Sequence, residues 1–209
     1  MQTRLVVDGR AVEVAWWGSA NSTGPTIVLL HDGLGSVGLW RDLPAALAER
    51  TRCRVMAYSR FGHGASDPPA TPHTIHFMHE EARWLPTMLD AAAVERPILF
   101  GHSDGGSIAL LFAAEHPARA HALILEAPHV FVEAVSVASV ERTTTLFETS
   151  DLRERLARHH ENVELAFRGW SDVWLHPDFR RWNLEDCLPR VTCPLLLIQG
   201  EQDEYGTLG

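Results

Sequence analysis

Cysteine is scarce in this chain: Cys53, Cys187 and Cys193 in 209 residues. The number is odd and the spacing fits no zinc pattern, so all three read as free, buried thiols in a reducing compartment. Basic residues are also in short supply, 18 against 27 acidic ones for a formal charge of −9, and they form no run. Nucleic acid is therefore not an expected partner, and strongly anionic substrates are disfavoured. No apolar segment approaches the roughly 20 residues that cross a bilayer. The opening Met1-Gln2-Thr3-Arg4 lacks the apolar stretch of a signal peptide. The expectation is a cytoplasmic protein with no membrane contact, no metal and no cofactor. Internal repeats and low-complexity tracts are missing too.

What is present suits a soluble globular domain: 45% hydrophobic and 22% charged residues. The length allows one domain with a sizeable core and a small insertion. Residues 3–7 and 12–17 read as an antiparallel pair joined through Asp8-Gly9-Arg10. Five apolar runs follow: Thr26–His31, Cys53–Tyr58, Pro97–Gly101, Ala122–Ala127 and Pro194–Gln199. They are continuous rather than alternating, as in strands buried on both faces of a parallel sheet. Helical stretches at 39–50, 76–92 and 103–116 separate the earlier runs. The expected fold is α/β, with a doubly wound, mostly parallel sheet. Between Phe131 and Leu188 no buried-strand run occurs, but aromatics abound: Phe131, Phe147, Phe167, Trp170, Trp174, Phe179 and Trp182. That stretch reads as a helical lid, residues 131–188, inserted into a core of residues 1–130 and 189–209. The plainer alternative is a set of surface helices whose aromatics only pack on the sheet.

The most specific signal is Gly101-His102-Ser103-Asp104-Gly105, a G-x-S-x-G motif between the strand ILF and the helix SIALLFAAEHP. A sharp strand-to-helix turn holds its serine in a strained conformation and needs glycine on either side. The hydroxyl then stands above the sheet, and the Asp104 N–H sits at a helix start where it can face a developing oxyanion. The competing reading is a glycine-rich cap with Ser103 as capping residue.

With this elbow the sequence resembles the α/β-hydrolase superfamily, in particular its lid-bearing bacterial serine hydrolases. Leu30-His31-Asp32-Gly33-Leu34-Gly35-Ser36 resembles that family's His-Gly-x-Gly loop, which implies a second oxyanion donor at Gly33 or Leu34, with Gly33 preferred. Asp32 departs from the family's glycine. An acid there would oppose negative charge unless it points away. His31 is expected to bond backbone behind the loop. Tyr58–Asp67 resembles the family's Arg-x-Gly-x-Gly-x-Ser turn and is read as structural. Leu197-Ile198-Gln199-Gly200-Glu201-Gln202-Asp203 resembles the segment that delivers the triad acid, which implies Asp203, with Glu201 and Glu204 as rivals.

In the family the histidine follows the acid by a helix and a strand. Six residues follow Asp203, and none of the twelve histidines is among them. The chain is therefore expected to lack the last strand, the last helix and the catalytic histidine, and to turn over slowly. His129, just past the Ala122–Ala127 run, is expected to line the pocket rather than serve as base. His102 is expected to point elsewhere, and His159 and His160 to be solvated on a polar helix. Phe131, Trp170 and Trp174 complete the expected substrate wall, which suits an apolar ester-like molecule. Ester, carbon–carbon and amide hydrolysis share the triad. Epoxide hydrolases and haloalkane dehalogenases, with aspartate in place of Ser103, fit less well. A binding protein of the same fold and an inactive fragment are the rival readings. The Pro194–Gln199 run would form an open sheet edge, inviting self-association.

Overall fold

Each of the apolar runs becomes a strand. The computed structural model describes residues 2–207. Strands β1 (Gln2–Val7), β2 (Arg10–Trp17), β3 (Ile27–Leu30), β4 (Val55–Tyr58), β5 (Ile98–His102), β6 (Ala122–Glu126) and β7 (Leu195–Ile198) form one sheet in the order β1-β2-β4-β3-β5-β6-β7. β1 and β2 pair antiparallel, and β2 pairs antiparallel with β4. The remaining five strands are parallel. The hairpin turn falls at Asp8 and Gly9, both with positive φ. The chain runs from β3 outward to β4, then returns past β3 to β5 and continues through β6 to β7. The switch point, where open α/β sheets place their ligands, thus lies between β3 and β5.

Successive strand residues point to opposite faces, and both faces are covered. Val28, Leu30, Met56, Tyr58 and Leu99 join the cluster on one side, and Ile27, Leu29, Val55, Ala57 and Phe100 that on the other. The first core is completed by α2 (Phe77–Ala91) and α3 (Asp104–Glu115), the second by α1 (Leu43–Thr51). Helix α3 is buried from Asp104 to Ala114, as its nearly all-apolar composition requires. Between β6 and β7 come α4 (Ala134–Thr149), α5 (Leu152–Ala157), α6 (Val163–Trp174) and two short 3-10 turns. α6 has Ala166, Phe167, Trp170, Val173 and Trp174 on its buried side.

One expectation fails here. His160 lies beyond the end of α5 and is buried: it accepts from the Gly64 N–H at 3.0 Å and its Nε2 lies 3.0 Å from the Leu34 carbonyl. His159, next to it, is half-buried. The polar segment before them suggested solvent, but the chain leaves the helix and turns into the core.

Candidate active site

Ser103 has φ 52° and ψ −121°, between the last residue of β5 and the first of α3. Such a backbone costs an L-residue about 1–3 kcal/mol and persists only where its surroundings enforce it. Glycines do so here. A Cβ on Gly101 would lie 2.3 Å from the Gly105 carbonyl oxygen, and one on Gly105 would lie 2.0 Å from that of Leu30. Ser103 makes no side-chain cap bond, so the capping alternative is set aside. Its Oγ instead lies 3.2 Å from His129 Nε2.

The register explains which loops meet. Leu30 pairs with Gly101, which brings residues 31–36 beside the elbow. His102 pairs with Glu126, which sets Ala127–His129 level with Ser103. Ser103, His129 and Asp203 line one cavity of about 170 Å³, with Asp32, Gly33, Leu34, His102, Ala127, Trp170 and Tyr205. Ala127 is the second strained residue in this wall, with φ 48°. A larger cavity of about 540 Å³ opens between the Phe61–His63 turn and α6, but Ser103, His129 and Asp203 do not line it.

Gly33 lines the smaller cavity, and Asp104 follows Ser103 directly in the chain. Asp104 N–H opens α3 and has no intrahelical acceptor. On the other side, the Leu34 N–H already donates to Asp32 Oδ1 at 2.9 Å. Trp170 sits directly on Gly33, where a Cβ would lie 2.1 Å from its ring. His31 is structural as expected: its Nε2 accepts from the Arg60 N–H at 3.0 Å.

Asp32 and His102 resolve each other. His102 does not point away; it lines the cavity, with Nδ1 3.6 Å from Asp32 Oδ2. Burial opposes charge on both residues. Even so, their mutual contact holds the Asp32 carboxyl below its ordinary range and lifts His102 above its own. Asp32 is thereby tied to His102 and to the Leu34 amide. Asp104 keeps its side chain wholly buried, with Trp174 beside its carboxyl group. Burial lifts it to about 6, with Arg60 pulling the other way.

Asp203 accepts from Gln199 Nε2 at 2.9 Å and from the Tyr205 N–H at 2.8 Å. Its turn is held by α4, not by the sheet. Ser139 Oγ donates to the Glu204 carbonyl, Ser136 Oγ to that of Tyr205, and Thr143 Oγ1 meets the Tyr205 hydroxyl at 2.6 Å. Glu201 and Glu204 are both exposed and outside this wall. Of the three aromatics expected to face substrate, only Trp170 lines the cavity. Trp174 is buried behind His129, with ring centroids 4.7 Å apart. Phe131 instead forms a bridge with Asn183.

The family described as alpha/beta hydrolase fold matches residues 25–167. The chain belongs to that family. Serine hydrolase BPHL of Homo sapiens is 26% identical over 161 residues, which is 71% of this chain and 53% of that protein. An uncharacterized protein of Mycobacterium tuberculosis is 36% identical over 104 residues, 49% of this chain and 29% of that one. The alignments thus span about half or less of these curated relatives. Among solved structures, a bacterial membrane phospholipase A superposes with TM-score 0.79 at 23% identity, covering 100% of this chain and 72% of that one. The enol-lactonase of Burkholderia xenovorans superposes with TM-score 0.75 at 22% identity, covering 99% and 84%. These likenesses extend the fold to nearly the whole chain. Among the described residues no helix is long and apolar enough to cross a membrane.

Proposed function

We propose that this chain is a serine hydrolase that cleaves a carboxylic ester or a related acyl bond, with Ser103 as nucleophile. The observation that carries this is the strained Ser103 backbone, enforced by two glycines, with the serine in the wall of a cavity that Gly33 also lines. Oγ would attack the acyl carbon, and the Gly33 and Asp104 N–H groups would receive the charge that develops on the carbonyl oxygen. The Asp203 carboxylate, in the same wall, would favour positive charge on an imidazole close by. Lactone, amide and carbon–carbon cleavage use the same parts. The serine hydrolase, lactonase and phospholipase among the relatives and neighbours fit acyl chemistry.

The size of the cavity restricts the substrate. About 170 Å³ is well below the 300–1,000 Å³ of drug-sized sites. A short acyl group fits, with Trp170 as its apolar wall. Residues 131–188 then act as the lid, because α6 lays Trp170 on the Gly33 loop. The partner is a small apolar ester. A second copy of this chain is a further partner at β7, whose Leu195, Leu196, Leu197 and Ile198 are 43–56% exposed.

The test uses p-nitrophenyl esters of increasing acyl length, with the protein and its Ser103→Ala variant. Turnover that depends on Ser103 and falls from acetate to decanoate is expected. Equal rates for the two proteins on every ester would refute the reading.

A further inference from the structure

We infer that Trp170 sets the acyl length of the substrate, because its ring closes the Ser103 cavity off from the larger cavity on the neighbouring face of α6. The larger cavity is the space an unbranched aliphatic chain would enter if that ring were gone. This rests on the nucleophile reading above and adds to it the residue that limits the substrate.

Among the described residues the two cavities share no lining residue, yet they share a wall. Helix α6 turns Leu165, Gly169, Asp172 and Val173 towards the larger one, at the i, i+4, i+7, i+8 spacing of one helical face, and Trp170 towards the smaller. The rest of the wall comes from two turns after core strands. Gly33 lines the smaller cavity and His63 the larger, and His63 Nε2 lies 3.0 Å from the Gly33 carbonyl oxygen. Trp170 joins the two parts by packing its ring directly on Gly33. The ring is wedged there. Phe167 stands edge-on to it, with centroids 5.9 Å apart, and is itself stacked on Phe147 of α4 at 3.7 Å. Trp170 cannot swing aside without unpacking these two rings, so a chain longer than the small cavity runs into it.

The space behind the wall suits an alkyl chain. Phe61 and Val173 are buried on its floor, and Pro69, Ile75 and Leu165 are half-buried. Hydrophobic burial favours an aliphatic group against such a surface. Asp172, exposed at the rim, disfavours an anionic end. At about 540 Å³ this cavity falls within the 300–1,000 Å³ of small-molecule sites, and the 170 Å³ cavity at Ser103 does not. Of the wall residues, Gly33 has no side chain to lose, and the His63 ring holds backbone. Trp170 is the one whose side chain can be removed to join the two spaces.

The experiment compares kcat/KM for p-nitrophenyl acetate and decanoate in the unaltered protein, in Trp170→Ala, and in Trp170→Ala combined with Leu165→Trp. In Trp170→Ala the decanoate-to-acetate ratio should rise at least about tenfold, the low end of what a methylene gains from an apolar pocket. Leu165→Trp should fill the opened space and reverse most of that rise. Circular dichroism checks that the variants fold. Should Trp170→Ala unfold, Trp170→Phe keeps a ring in the core and should still raise the ratio of butyrate to acetate turnover. Folded variants with Ser103-dependent turnover and an unchanged ratio would overturn the inference and leave the nucleophile reading standing. A raised ratio that Leu165→Trp does not reverse would overturn it too, because the site would merely have loosened. No turnover that is lost in Ser103→Ala, in any of these proteins, would sink the nucleophile reading and this inference with it.

Discussion

β5 and β7 each end in a turn that presents one polar side chain, Ser103 and Asp203, to the same cavity, and they do so by opposite means. β5 is buried in mid-sheet, and its turn is locked by backbone against backbone: Gly101 against Gly105, and Gly105 against Leu30. β7 lies at the sheet edge with all four residues exposed, and its turn hangs on side-chain bonds to α4. The proposed nucleophile would tolerate little displacement, and its turn is built from contacts that no rotamer change can relax. A carboxylate acts through space and tolerates a softer mount. The comparison predicts that damage to the first turn costs the fold, whereas damage to the second costs only its own function.

The largest contrast should come from the glycines. Gly105→Ala is expected to lose about 4 kcal/mol of stability, since its Cβ meets main chain that has nowhere to go. Gly200→Ala, with no neighbour closer than 3.9 Å, should stay within about 0.5 kcal/mol. Denaturant unfolding measures both, and equal losses would erase the distinction.

Acid should come next, because it strikes the elbow side. Burial holds His31 and His63 well below their ordinary value and His129 at about 4. Folded, they stay neutral where the unfolded chain takes up protons. Their contribution is complete above about pH 6.5 and is lost as the pH falls from there towards their folded values, at about 1.4 kcal/mol per pH unit for each. Asp104, raised to about 6, works the other way: it binds its proton more readily folded, and gains between about pH 6 and 4. His73, His79 and His160 are lowered as well, while Glu81 and His102 are raised and side with Asp104; six lowered histidines against these three groups leave a net loss. Unfolding midpoints at pH 7, 6 and 5 should therefore descend, and a flat series would count against the buried neutral rings.

A smaller effect of opposite sign is expected for Ser103→Gly. Relief of the positive φ should raise stability by about 1 kcal/mol while abolishing phosphonylation. A less stable variant would show that Ser103 is not strained. The mildest change is at the edge. Leu196→Lys should leave the unfolding midpoint in place but convert self-associated protein to monomer in light scattering. Monomeric unaltered protein would remove β7 as an interface.

The fold was readable because its signals are local. Continuous apolar runs marked the parallel strands, and G-x-S-x-G between ILF and SIALLFAA marked the elbow. Three residues that sequence motifs singled out, Ser103, Asp203 and Gly33, line one cavity. What escaped lies between segments. His129 was expected in the wall, but its contact with Ser103 follows from the β5–β6 register and from Ser107, 22 residues away in sequence. Ser136, Ser139 and Thr143, which no sequence signal singled out, hold the Asp203 turn 62–69 residues further on. His102 was expected to face elsewhere, yet Asp32, reached only across the sheet, holds it at the cavity. His160 was misread because a polar local sequence says nothing of the backbone groups, Gly64 and Leu34, that bury it.

The central claim is that one strained serine is chemically set apart from every other hydroxyl of the chain. Peptide mapping after reaction with a phosphonylating ester tests it most directly. A single adduct, on Ser103, is the expected result; an unmodified protein, or adducts spread over other serines, would contradict it.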